Sequence, residues 1–402
     1  MAYTAILCLA FNLQAQKPVR LEEAWQRATT RSTEAQFAQA VYGLAQAESR
    51  VGVVMPGFTT MLEAGQVNSA FTDTKITLSQ SGYFPGYHKA FKNKQQSSLD
   101  IAMGEKQIKE WELRKWVTLV YVQYQYYSVL KSLYDQQGKL FQEALIKAQQ
   151  RRDSGASDGT EVFEATAQLT HHKLLTMEAD NNINSLLNTF GVLTGSAEDE
   201  EPASLDDLTQ YLPIVDVSEL VVKHPGLQKL DAEIVANQKE ARWKRAQRQA
   251  TWMIAISNTS FKGIGADNKV YDASSRFSSV QLGVNFPLFG SQASKTEEVI
   301  KLTEVKSITE KNLAEIKLKN QLNTALAAWQ RVKDQLRDFE SNALPLATQL
   351  MQIAENKLKA GEIDFMKYIS MNEQALALLL DYASLKRQQN EAALEYHFSN
   401  FN

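Results

Sequence analysis

Residues 87–152 contain no proline, and residues 294–359 contain only Pro345. Both stretches are dense in charge and carry apolar residues at helical spacing, so each is expected to form one helix of about 65 residues, close to 100 Å at 1.5 Å per residue. No compact globule buries such a helix around one core. It must pack lengthwise against other helices, in a coiled coil or a helical barrel. Composition agrees, because 18 Gly and 8 Pro in 402 residues leave few helix breakers. The 43 basic and 46 acidic residues are interspersed and give a net charge of −3, which leaves no electrostatic footprint for a nucleic acid.

The same order of elements occurs twice. A helix is expected at Leu21–Arg50, strands at Gly57–Val67 and Thr74–Ser81, and the pair Phe84-Pro85 follows. A helix at Tyr87–Arg152, the break "DSGASDGTE" and a helix at Glu161–Leu193 complete the first copy. The second copy has a helix at Val217–Gln249, strands at Thr251–Lys262 and Phe277–Asn285, and the pair Phe286-Pro287. It ends with helices at Ser294–Lys359 and Phe365–His397 around the break "KAGEID". This divides the chain into 1–15, a first repeat 16–194, a polar linker 195–212 and a second repeat 213–402. Pro345 implies a bend in the second long helix.

The strands are read from period-two alternation. Val280, Leu282, Val284 and Phe286 share one face, while Ser279, Gln281, Gly283 and Asn285 share the other; the partner segment "WMIAISNTSF" (252–261) and "TKITLSQS" (74–81), with Ile76 and Leu78 against Lys75, Thr77 and Ser79, alternate less cleanly. Segments of about eight to twelve residues match the length of tilted membrane-crossing strands. A hairpin packed on a soluble core is the competing reading. In the first long helix Trp116, Leu119, Val120, Tyr127 and Leu130 form the expected packing stripe. Tyr121, Tyr124, Tyr126, Tyr127 and Tyr134 are read as helix-packing surface.

At the N-terminus an apolar run from Ala5 to Leu13 precedes "LQA", a small-residue cleavage site after Ala15, and is expected to be a secretory signal that removes the lone Cys8. A buried N-terminal helix is the alternative, since no basic residues precede the run. No later run is long and apolar enough for a membrane helix, so entry into a bilayer would require strands.

No catalytic constellation can be assembled from these residues, so the chain is not expected to be an enzyme. His171-His172 lack the i, i+4 spacing of a helical metal pair, and neither a metal nor another cofactor is expected. "GIGADNKVYD" (263–272) lies between two strands, which suits an extracellular loop and not a phosphate cradle.

The duplicated order, together with "FPLFG" (286–290), "KHPGL" (223–227) and "NKLKAGEIDFMKYISMNEQALALLLDY" (356–382), resembles the TolC-type outer-membrane efflux family. The wording of "FPGYHKAFKNKQ" and "YVQYQYYSVL" is similar to ducts serving heavy-metal pumps of the resistance-nodulation-division type. His224 stands where the family usually has Asn, and the first strand exit lacks paired glycines. The resemblance implies a mainly helical fold with β structure. A homotrimer would form a helical barrel continued by a twelve-stranded transmembrane β-barrel, four strands per chain. It further implies an outer-membrane exit duct with a large periplasmic portion, serving tripartite efflux or type I secretion. The implied partners are outer-membrane lipid, a periplasmic adaptor and an inner-membrane pump. A soluble periplasmic coiled-coil adaptor or scaffold is the alternative.

The same resemblance makes Phe84, Pro85, Phe286 and Pro287 the junction between barrel and tunnel, with Phe as a girdle residue and Pro ending the ladder. The two glycine turns align Gly155 with Gly361, Asp158 with Asp364 and Glu161 with Lys367. These turns would form the periplasmic mouth where adaptors dock, with Glu161, Glu164, Lys367, Tyr368 and Ser370 near the constriction and a Glu161–Lys367 pair holding it closed.

Overall fold

The computed structural model describes residues 17–66, 69–195, 200–204, 208–272, 274–286 and 292–399. The elements, in order, are β1 (Lys17–Val19), α1 (Leu21–Arg31), α2 (Thr33–Ser49), β2 (Thr59–Gly65), β3 (Asp73–Tyr83), α3 (Pro85–Asp153), α4 (Thr160–Thr194) and β4 (Glu200–Pro202). After a 3₁₀ turn at Leu208–Gln210 come α5 (Val217–Lys223), α6 (Pro225–Ala246), β5 (Thr251–Ser260), β6 (Gly263–Ile264), β7 (Val270–Tyr271), β8 (Arg276–Asn285), α7 (Gln292–Lys359) and α8 (Phe365–His397). The proposed signal segment, Pro287 and most of "FPLFG" lie outside the described residues.

The expected long helices are present, with 69 residues in α3 and 68 in α7. Pro345 stands inside α7, which continues through it. The first helix of each half is broken where one was expected. Ser32 turns extended (φ −61°, ψ 149°), its hydroxyl donating to the Ala28 carbonyl at 2.6 Å and accepting from the Ala35 N–H at 3.1 Å. One side chain thereby ends α1 and starts α2. In the second half His224 leaves the helix (φ −67°, ψ 121°) because the Pro225 ring excludes the helical conformation from the residue before it.

Chain contacts group into two compact units, each drawing on both halves. One contains residues up to Gln39, Lys106–Pro225 and Ala314 onward; the other contains Ala40–Glu105 and Gly226–Leu313. In the first, β1 pairs in parallel with β4. Its main core joins Val19, Leu21 and Ala24 to Leu113, Val117, Val120 and Tyr121 of α3, Phe190 of α4, and Leu394 near the end of α8. The α3 stripe therefore runs through 113, 117, 120 and 121, and Trp116, expected within it, is exposed. Tyr121 is fully buried and donates its hydroxyl hydrogen to the Val19 carbonyl at 2.5 Å. A second core, nearer the glycine turns, gathers Phe141 and Ala144, Ala165 and Leu169, and Ile369.

In the second unit the two hairpins merge into one antiparallel sheet of order β2-β3-β5-β8. The junction is β3 against β5, from Lys75↔Thr259 to Tyr83↔Thr251. β6 and β7 form a separate small hairpin within 263–272. No helix among the described residues is long and apolar enough to cross a membrane.

Candidate functional site

Two places hold the residues singled out from the sequence, the sheet and the pair of helix turns. In the sheet, cross-strand register fixes which side chains share a face. Leu62 opposes Ile76, Leu78 opposes Ile256, Ile256 opposes Val280, and Ile254 opposes Leu282. These residues, with Val284, form one apolar face. The other carries Thr77, Ser257 and Ser279 in a row, Ser79, Gln281, and Glu63 opposite Lys75 with an ion pair of 3.3 Å. The Ser257 and Ser279 hydroxyls meet at 2.8 Å.

Exposure on β3 and β5 is inverted relative to a water-soluble sheet, while β8 is exposed on both faces. Ile254 and Ile256 are 45% and 54% exposed, whereas Ala255 and Ser257, on the polar face between and beside them, are each 2% exposed. The outer edges of β2 and β8 have no strand beside them among the described residues. Such an arrangement in water would be an aggregation surface.

At the end of the sheet the ladder stops at Tyr83, and Pro85 is the first residue of α3. Pro85 therefore starts a helix, where its missing N–H costs nothing and its fixed φ is helical, and does not itself terminate the strand. Tyr83 and Tyr87 stack at 4.0 Å across this corner, with Phe84 exposed between them. Phe286 is exposed just after β8.

The helix turns share one capping geometry. The Gly155 and Ala156 N–H groups donate to the Arg152 and Arg151 carbonyls, and those of Gly361 and Glu362 donate to Leu358 and Lys357. Both glycines are left-handed, with φ of +75° and +71°. Beyond the glycine the turns diverge. Asp364 is the N-cap of α8 and accepts from the Lys367 N–H at 2.7 Å. Asp158 instead accepts from the Thr160 N–H at 2.9 Å, one residue before the left-handed N-cap Gly159. Those hydrogen bonds from Thr160 hold the Asp158 carboxyl below the usual range.

Packing register explains the divergence. Leu130, Phe141 and Ala148 of α3 are buried like Leu336, Ala347 and Ala354 of α7, each 206 residues later, and Gly361 follows Gly155 by the same interval. After the turns the interval is 204: Ala165, His172, Ala179, Phe190 and Thr194 are buried like Ile369, Leu376, Ala383, Leu394 and Phe398. The first connection thus holds two more residues, since 206 − 204 = 2, and Lys367 corresponds in packing to Phe163 and not to Glu161.

Glu161 is half-buried and pairs across its own turn with Arg151 at 3.3 Å; no ion pair joins it to Lys367 among the described residues. Lys367 and Glu164 are exposed, and Ser370 is half-buried. Tyr368 packs beside Phe365 at 5.6 Å, and burial, then the nearby Glu355 and Glu143 carboxylates, raise its hydroxyl above the ordinary value. Sequence alone does not single out Arg151, although its place four residues before Gly155 is visible. No group of three His, Cys, Asp or Glu side chains among the described residues could hold a metal, and His171 and His172 split between an exposed and a buried position.

No family model matches the sequence, and no curated protein sequence does. Solved structures do. CusC aligns with a TM-score of 0.72 at 14% identity, covering 96% of this chain and 93% of its own. The CmeC outer membrane channel of Campylobacter jejuni aligns at 0.71 and 13%, covering 94% and 85%. The outer membrane protein VceC of Vibrio cholerae aligns at 0.70 and 15%, covering 94% and 96%. The fold is that of the TolC-type outer-membrane channels. In this TolC-type fold the chain is mainly helical with one mixed-origin sheet, and nearly its whole length takes part.

Proposed function

We propose that this chain is the outer-membrane exit duct of a tripartite efflux or type I secretion system, a passive conduit from periplasm to exterior. The observation that carries this reading is the exposure of the sheet's apolar face, where Ile254 and Ile256 stand open while Ala255 and Ser257 on the opposite face are buried. Lipid is the solvent in which that arrangement is favourable. β5 and β8 each have ten residues, enough for a tilted strand to cross an apolar band about 25 Å tall.

Four strands cannot close on themselves, and an open edge is not tolerated in lipid. Three copies, each joining β8 to the next copy's β2, give a closed barrel of twelve strands. The exposed aromatic residues Phe84 and Phe286 then sit at the membrane interface, and the helices extend into the periplasm. The turns at Gly155 and Gly361, with Asp158, Glu161, Glu164, Asp364, Lys367, Tyr368 and Ser370, form the end that meets an adaptor and, through it, an inner-membrane pump. The duct performs no chemistry, so the pump supplies the energy. A soluble adaptor is disfavoured because it would leave the apolar sheet face in water.

The test is imaging of the protein extracted from outer membranes in detergent. Hollow three-fold particles are expected. A monomeric, detergent-independent particle in the soluble fraction would overturn the reading.

A further inference from the structure

His172 is 6% exposed, and its ring lies over Phe141 at 4.7 Å with an interplanar angle of 29°. Tyr134 approaches it edge-on at 6.2 Å. Nδ1 is buried and has no hydrogen-bond partner among the described residues, and neither does Nε2 of Gln137, which is buried on α3 one turn from each of these rings. One turn below, Leu169 belongs to the core that joins α3, α4 and α8 beside the glycine turns. In the second half the position corresponding to His172 is Leu376, an apolar side chain in an equally buried place. The first hairpin has a titratable group where its own duplicate has a hydrocarbon.

We propose that His172 is an acid-sensitive element that loosens the α3–α4 hairpin when its imidazole takes up a proton. A neutral imidazole tolerates the Phe141 stack; an imidazolium there must either leave the core or admit water. The charged groups around it offer no compensation. The groove it borders is lined from α3 by Tyr134, Asp135, Lys139 and Glu143, and from α4 by Lys173, but no carboxylate among them hydrogen-bonds the ring. His171 adjoins it on the same helix at 5.7 Å, and α8 contributes Tyr368 and the half-buried Glu373 to this end.

Burial, then the neighbouring His171, lower the His172 pKa from the ordinary 6.5. A group whose folded pKa is depressed in this way binds more protons when its packing opens. Stability is therefore full above 6.5 and is lost as pH falls below that value toward the folded pKa. Glu373 acts in the opposite sense: burial raises its carboxyl, so acid relieves its cost. The sign separates the two residues. On the functional reading above, the loosened hairpin is the end that partners meet, but the measurement below does not depend on transport.

The test is amide exchange across residues 165–179 of the intact detergent-extracted protein, normalised to intrinsic rates, at about pH 7.5 and about pH 5. The opened population in the natural protein is expected to rise roughly tenfold for each pH unit between 6.5 and the folded pKa. His172→Leu, which installs the residue its duplicate already uses, should abolish the rise, and His171→Leu should keep it. A rise that survives His172→Leu, or no rise in the natural protein, overturns the proposal. Should His172→Leu not fold, the imidazole resonance of His172 is titrated in the natural protein. A midpoint below 6.5 that tracks exchange supports the proposal, and one at or above 6.5 overturns it.

Discussion

Trp252 lies across the face of Gly82, its cross-strand partner, so closely that a Cβ at position 82 would fall 2.4 Å from the indole Cζ2. The indole N–H donates to the Tyr83 carbonyl at 3.1 Å, which fixes the ring over the glycine. An aromatic side chain here supplies the contact that the glycine cannot make, at the last pairs before the strand gives way to α3. Gly82→Ala must displace the indole and is expected to cost about 1–3 kcal/mol. Denaturant unfolding of the extracted protein should show this loss, and Trp252→Phe in the same background should recover part of it by removing the clashing second ring. An unchanged midpoint in Gly82→Ala would mean that the indole is free to move.

The inverted sheet makes a prediction that alternates residue by residue. Val280 and Gln281 are neighbours near the middle of β8, yet they point to opposite faces. If this face meets lipid as proposed, Val280→Arg places a charge in the apolar band and should cost about 2–4 kcal/mol near the bilayer midplane. Gln281→Arg places it on the wet face and should be tolerated. The amount of folded protein recovered in outer membranes measures both. Equal recovery of the two variants would contradict the assignment of faces.

How far the sequence disclosed this architecture depends on the length of each pattern. Strand faces survive small errors in strand limits, so Leu282 keeps the face that the alternation assigns to it, while its pairing with Ile254, in a segment that alternates less cleanly, needed the register of the sheet. The long helices are likewise fixed by many turns of consistent spacing. The break at His224 was also present in the sequence, as a residue preceding Pro225, but a helical pattern on both sides concealed it. Ser32 gave less warning, since serine is tolerated within helices and only its two hydrogen bonds reveal a cap. The α3 stripe was misplaced at Trp116 because the aromatic content of that region drew the phase off by one residue. The two extra residues of the first connection were invisible, because glycine and aspartate align so well across the turns that only burial beyond them exposes the shift.

The contact of Tyr121 with Val19 ties β1 to the middle of α3. Removing the hydroxyl takes away one of the two hydrogen bonds that the Val19 carbonyl accepts, leaves the one from Ala203, and keeps the ring packed against Phe190, whose centroid is 5.8 Å away. Tyr121→Phe should therefore destabilise by about 0.5–1.5 kcal/mol without changing the fold. The expected signature is a lower unfolding midpoint with an unaltered denaturant slope. Protection of the β1–β4 pairing should fall first, which amide exchange at Val19 and Ala203 would record, since Ala203 donates to the Val19 carbonyl at 2.8 Å.

The partner of Glu161 decides how the first glycine turn is held. Arg151 and Glu161 are partly exposed, so one pair contributes only about 0–1 kcal/mol, and a measurable effect requires the several copies that the proposed ring would bring together. Glu161→Arg sets two like charges against each other across the turn and, on the proposed duct reading, should raise the resting conductance in planar bilayers. Arg151→Glu in the same chain restores the attraction and should bring the conductance back. Lys367→Glu should not, because Lys367 corresponds in packing to Phe163 and makes no ion pair with Glu161 within the chain. Rescue by Lys367→Glu and not by Arg151→Glu would place the operative contact between copies and make the Arg151 pair a feature of the isolated chain.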